Sequence, residues 1–187
     1  MVKLIGKKVI LRELKSFDST SLFKNINDPI VVKYIDISYP YSLNKAEQYI
    51  KKAKYDIQRR KSYRLGIELP NKKEIIGVVG LVDIDWKNKK AELEYWLGKN
   101  YWRQGFGSES IILILGFGFN KLRLNRVFAK VLAANIASIK LLEKLNFIYE
   151  GKLRKALLEK KRWKDLFVYS MLKEEFRNYK LRVTKEK

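Results

Sequence analysis

The sequence predicts one mixed α+β domain built on a central sheet, and three observations carry that prediction. Short β-branched and apolar runs fill the front of the chain and give way to runs with helical spacing further on. The order of elements reads as an antiparallel meander followed by strand–helix–strand–helix–strand. Finally, 47% hydrophobic and 33% charged residues suit a folded chain of 187 residues with a sizeable core. Residues 1–175 are expected to form the domain, and 176–187 a charged tail.

Taken in order, Val2–Leu14 mixes apolar, basic and β-branched residues and reads as a first strand. Asp18, Ser19 or Thr20 caps a short helix through Asn27, stopped by Asp28-Pro29. Tyr39-Pro40-Tyr41 is a turn. Ser42 or Asn44 starts a helix to about Arg60, with Ala46, Tyr49, Ile50, Ala53 and Ile57 on one face. Tyr63–Leu69, Glu74–Asp85 and Ala91–Leu97 are strands, separated by turns at Pro70-Asn71 and Asp85–Lys89. Gly105–Lys121 is a helix, Arg126–Ala133 a strand and Ile136–Leu145 a helix. Asn146 stands where a helix end takes the left-handed conformation. Phe147–Leu158 and Asp165–Lys173 are two strands joined by the polar turn Glu159–Lys164. From Glu174 the chain is charged and is expected to end in disorder.

Composition removes several chemistries. The chain has no cysteine, which excludes disulfides, thiolate metal ligands and a cysteine nucleophile. It has no histidine either, so the usual neutral-pH base is missing and no metal centre is expected. The formal net charge of +21 attracts anions, whether nucleic acid, an acidic surface or a polyanionic ligand, and equally suits a solubilising lysine-rich surface. The first 14 residues lack a signal-peptide core, and the longest apolar stretch, Ile111–Phe119, has nine residues against the roughly 20 of a membrane span. A cytoplasmic protein away from membranes is expected, as monomer or homodimer.

One loop carries chemistry. After the strand ending at Leu97, Trp102-Arg103-Gln104-Gly105-Phe106-Gly107-Ser108 leads straight into a helix. The first turn of a helix has free N–H groups and a partial positive charge. Two glycines let backbone approach an anion, Ser108 adds a hydroxyl and Arg103 a charge-assisted bond, which together make an anion site. Gly-x-Gly alone reads better as a flexible turn; the strand before and the helix after bring the anion site level with that reading. Further on, Asn135-x-x-Ser138 opens a well-capped amphipathic helix.

These segments together resemble the GNAT superfamily of N-acetyltransferases, and within it the RimJ/RimL group of protein N-terminal acetyltransferases. The residues that carry the resemblance are Val9–Leu14, Ala91–Leu97, Trp102–Gly107, Asn135-x-x-Ser138 with Leu141–Phe147, Tyr149–Arg154, Trp163-x-Asp165 and Val168-Tyr169-Ser170, in the expected order over most of residues 7–175. The chain departs from the pattern at Trp102, where the superfamily often has Gln or Arg. It departs again at Glu94, where the group often has Gly, and at Asn146, which replaces a helix-ending Gly.

The resemblance implies a three-layer α/β/α fold whose mixed, mostly antiparallel sheet splays open to admit acetyl-CoA as co-substrate. Pyrophosphate would meet Arg103, Gln104, Gly105, Gly107 and Ser108. Pantetheine would pair with backbone at Tyr95, Trp96 and Leu97, beside Asn135 and Ser138. It further implies acetyl transfer to a primary amine by direct attack in a ternary complex, most simply to the α-amine of a protein N-terminus. Glu92 matches the strand position that often serves as base, with Glu94 in reserve. Ser138 is the candidate proton donor to the leaving thiolate. The tyrosine that many members carry a few residues later is replaced here by Leu141 and Leu142. Tyr39, Trp96 and Trp163 are candidates for an acceptor groove. A ribosome-bound or acidic partner would give the basic charge a use. The competing functions are acetylation of a polyamine or aminoglycoside, and a non-catalytic module that binds CoA or RNA.

Overall fold

The computed structural model describes residues 1–35, 37–159 and 161–185, with side chains described to residue 179. Among them eight strands form one sheet. They are β1 (Lys3–Ile5), β2 (Ile10–Glu13), β3 (Tyr63–Glu68), β4 (Ile75–Asp85), β5 (Lys90–Leu97), β6 (Arg126–Leu132), β7 (Ile148–Glu159) and β8 (Arg162–Leu172). Their spatial order is β1-β2-β3-β4-β5-β6-β8-β7. Every neighbouring pair is antiparallel except β5 and β6.

Helices cover both faces. On one side lie α1 (Ser19–Ile26), α2 (Pro29–Val32) and α3 (Leu43–Gln58), packed on Leu14, Ile75 and Val78. On the other lie α4 (Phe106–Asn120), α5 (Ile136–Lys144) and α6 (Lys173–Lys185), packed on the opposite face of the same strands through Leu65, Val79, Leu81 and Val127. Residues Ile75–Val82 of β4 are all buried, which explains their unbroken apolar run; a strand covered on both faces has no polar side to alternate with.

Most elements form where the sequence predicts them. Ser42 caps α3, its hydroxyl accepting from Lys45 N–H at 3.3 Å. Asn146 takes φ 61° after α5. There Asn146 N–H donates to Glu143 O at 2.9 Å and Phe147 N–H to Leu142 O at 3.0 Å, a Schellman end that glycine usually makes.

Four expectations change. Val2–Leu14 is two strands, because Gly6 N–H bonds Val9 O at 2.9 Å and folds the segment into a hairpin. Pro29 starts a helix as well as ending the previous segment, with the Asp28 carboxylate capping Ile30 N–H at 2.7 Å. The strands β7 and β8 extend to Glu159 and Arg162, so the turn is shorter than the expected Glu159–Lys164. The charged segment from Glu174, expected to end in disorder, lies in α6, which begins at Lys173 and runs across position 175. Phe176 is 2% exposed and stacks against Phe119 of α4 at 5.3 Å, which gives the charged segment an apolar anchor. Residues 186 and 187 of the expected tail lie outside the described residues.

Candidate active site

The single parallel contact organises the site. Register pairing between β5 and β6 consists of Lys90–Arg126, Ala91–Val127 and Glu92–Phe128, and it stops there. Yet β5 continues to Leu97 and β6 to Leu132. Successive backbone groups of a strand point to alternate neighbours. Gly98 N–H donates to Ile76 O across β4 at 2.9 Å, so the N–H and C=O groups of Leu93, Tyr95 and Leu97 point the other way, toward the parted strand. The Leu97 carbonyl accepts Trp102 Nε1 at 2.7 Å.

A cleft of about 760 Å³ opens at this parting. Its walls include Tyr34, Tyr41 and Tyr49 from the α2–α3 side, Glu92–Trp96 from β5, Ala129–Leu132 from β6, and Asn135 and Ser138 at α5. The hairpin of β7 and β8 closes one end with Leu157, Glu159 and Leu166. Of the expected site residues, the cleft unites Glu92, Glu94, Tyr95, Trp96, Asn135 and Ser138. Tyr39 and Trp163 are not among its lining residues: they stand 54% and 58% exposed at the surface, Trp163 beside the tip of the β7–β8 hairpin.

The two expected bases differ in their company. Glu92 Oε2 accepts Lys130 Nζ at 2.7 Å, and this is its one ion pair among the described residues. Glu94 is held by Arg64 through Nε at 2.6 Å and Nη2 at 3.3 Å. Arg64 also bonds Asp56, at 3.1 Å, and Lys52 bonds the same buried carboxylate at 2.9 Å. Burial works against the Arg64 charge, but Glu94, with Tyr49 and Asp56 behind it, holds the guanidinium above its ordinary pKa. Burial first, and then Glu94, raise the Tyr49 phenol. Arg64 reaches Glu94 across β4, where the residue between them is Gly80, paired with Arg64 on one side and Glu94 on the other. A Cβ at Gly80 would sit 3.2 Å from Arg64 Cγ, so the glycine leaves room for the crossing side chain.

The loop before α4 is exposed from Trp102 to Gly105. Arg103 (φ 60°) and Gly105 (φ 83°) both take left-handed conformations. Gly105 caps the helix with no side chain, and Glu109 N–H to Gly105 O, at 3.1 Å, is the first helical bond. The N–H groups of Phe106, Gly107 and Ser108 precede that bond and have no carbonyl within the helix. The Glu109 carboxylate accepts the N–H groups of Lys7 at 2.5 Å and Lys8 at 2.9 Å, pinning the β1–β2 turn against the first turn of α4. Lys8 Nζ then donates to Gln104 O at 3.0 Å. Free N–H groups, a helix N-terminus and a neighbouring ammonium suit an anion such as a pyrophosphate.

At α5, the Asn135 side chain caps the helix by accepting Ser138 N–H at 3.2 Å, and Ser138 Oγ lies 2.5 Å from the Tyr95 hydroxyl. Burial pushes the Tyr95 phenol up to about 12, partly offset by the Ser138 bond. Lys8, Arg64, Tyr49 and Lys130 were not legible as site residues. Each has a partner 30 or more positions away, which local sequence pattern does not announce.

The comparisons agree with this geometry. The family profile described as acetyltransferase (GNAT) domain matches residues 8–148. An uncharacterized N-acetyltransferase, p20, of Bacillus licheniformis is 35% identical over 176 residues, covering 94% of this chain and 99% of its own. A putative ribosomal N-acetyltransferase, YdaF, of Bacillus subtilis is 32% identical over 106 residues, covering 57% of this chain and 58% of its own. The structure of the microcin C7 self-immunity acetyltransferase MccE in complex with acetyl-CoA and AMP superposes with a TM-score of 0.80 at 25% identity, covering 89% of this chain and 93% of that one. With its sheet order, its parted parallel pair and these matches, the chain belongs to the GNAT acetyltransferases and is an acetyl-CoA-dependent N-acetyltransferase.

Proposed function

We propose that the acceptor is the α-amine of a protein N-terminus, attacked directly in a ternary complex in the cytoplasm. The observation that carries this reading is the charge balance of the cleft. Its described lining holds Glu92, Glu94 and Glu159 against Lys52, Arg64 and Lys130, and both β5 carboxylates are already ion-paired. A polyamine, with several ammonium groups, meets a lining that holds as many cations as carboxylates. A single α-amine, with a pKa of about 8, is partly neutral at physiological pH and asks little of a base. The name of the YdaF relative, a putative ribosomal N-acetyltransferase, supports the same acceptor class.

In this reading the Arg103–Ser108 loop and Lys8 hold the pyrophosphate, and the backbone of Tyr95 and Leu97 holds pantetheine. One N–H there polarises the thioester carbonyl. Glu92, with a single ion-pair partner and a place at the last register pair before the opening, takes the amine proton through water. Glu94 stays the reserve, since Arg64 occupies both of its oxygens. Trp96 and the tyrosines of the α2–α3 side wall the acceptor.

The test compares thiol release from acetyl-CoA with peptides of differing first residue and with spermidine. Turnover with peptides at least about tenfold above spermidine is expected. Turnover with spermidine and none with any peptide would overturn the acceptor class. Glu92→Gln is expected to lower kcat about 10²-fold, and an unchanged kcat would remove Glu92 from the mechanism.

A further inference from the structure

A serine in the first turn of a helix ordinarily returns its hydroxyl to its own backbone, which takes it out of chemistry. Ser138 does otherwise: its Oγ meets the hydroxyl of Tyr95 at 2.5 Å, across 43 positions of sequence. Tyr95 belongs to the stretch of β5 that has parted from β6, and both residues line the cleft. Each hydroxyl has one proton and two acceptor sites. A phenol is far more acidic than an aliphatic hydroxyl, so Tyr95 donates and Ser138 accepts. The Ser138 proton is then free to turn elsewhere, and among the described residues no protein acceptor takes it.

We infer that Tyr95 is a positioning residue for the leaving group: it donates to Ser138 Oγ and aims the Ser138 O–H at the sulfur of departing coenzyme A. The inference rests on the acetyl-transfer site proposed above. It also accounts for Leu141 and Leu142, which occupy helix positions where a tyrosine would supply such a group; here the phenol reaches in from the strand instead.

The chemistry balances without moving a proton through the pair. The amine nitrogen bonds the acetyl carbon, the C–S bond breaks, and its electron pair stays on sulfur. The amine proton leaves through the base. A thiol has a pKa of about 8.5, well below the 12 or so to which burial raises Tyr95. The thiolate therefore cannot strip the phenol, and the pair stabilises sulfur by a hydrogen bond that strengthens as negative charge builds. Tyr95 donating into Ser138 polarises the serine O–H and makes it the better donor.

The experiment is a double-mutant cycle in the full chain, with kcat and coenzyme A affinity measured separately and with whichever amine the wild type acetylates. Choosing the amine this way keeps a wrong acceptor assignment from being mistaken for a failed relay. Ser138→Ala is expected to lower kcat about 10²-fold, as the loss of one donor does. Tyr95→Phe is expected to lower it about tenfold, with affinity for coenzyme A unchanged, and the double variant to be no worse than Ser138→Ala alone. Fluorotyrosine at position 95, which keeps the shape and sharpens the donor, is expected to retain wild-type kcat and covers the case in which Tyr95→Phe fails to fold. Additive losses, a wild-type kcat in Tyr95→Phe, or fluorotyrosine behaving like phenylalanine would each overturn the proposal.

Discussion

At the scale of single residues, the site depends on groups that have given up an ordinary role. Gly105 begins α4 in the left-handed region at φ 83°, with Lys8 Nζ 3.3 Å from where a Cβ would stand. The lysine end can move aside, so the cost of a methyl group there is conformational, about 1–2 kcal/mol. Gly105→Ala is therefore expected to lower stability by about that amount in denaturant unfolding and to raise the KM for acetyl-CoA roughly tenfold. An unchanged KM would mean that the loop does not touch the co-substrate. Glu94 shows what a linear reading misses. Its place on the same strand face as Glu92 is evident from spacing alone. Its neutralisation by Arg64 is not, because the two meet only when β3, β4 and β5 align and Gly80 leaves the gap between them.

At the scale of elements, strands and helices were legible wherever local pattern decided them, as at β3 to β6, α3, α4 and α5. The helix at Pro29 has a local cap in Asp28, whereas the misreadings at the two ends of the chain involve distant partners. The bend within Val2–Leu14, closed locally by the Gly6–Val9 bond, is also pinned by Glu109, about a hundred residues away. The far end of the sheet is tied together in the same long-range manner. Glu150 of β7 accepts both terminal nitrogens of Arg126 on β6, each at 2.5 Å, and the hydroxyl of Ser170 on β8 at 2.7 Å. Arg126 foremost, with help from Ser170, holds the Glu150 carboxyl below its ordinary pKa. A depressed folded-state pKa contributes stability above the unfolded value, about 4.3 for Glu, and loses it as pH falls through the folded value. Glu150→Gln is thus expected to be less stable than wild type at pH 7, with the difference closing below about pH 4. A difference that stays constant with pH in urea unfolding would assign the loss to packing.

At the scale of the whole molecule, two helical layers enclose one sheet, and the C-terminal helix belongs to that enclosure. Phe176 is buried against Phe119, inside the core cluster that also contains Leu124 and Val127. Phe176→Ala is expected to cost about 3–5 kcal/mol, read as a lowered denaturation midpoint with unchanged slope. A loss below about 1 kcal/mol would mean that α6 docks only loosely. The sheet beneath these layers has a further property. Five strands, from residues 3 to 97, complete their own ladder, and three more, from 126 to 172, complete another; among the described residues three register pairs, with the Asn125 and Arg126 N–H bonds to Lys89 O beside them, join the two leaves. A small change of tilt between the leaves breaks no ladder within either, so those three pairs act as the spine of a book. The cleft lies beyond that spine, so substitutions along its first two pairs are expected to change the KM for the amine without altering any residue of the cleft wall.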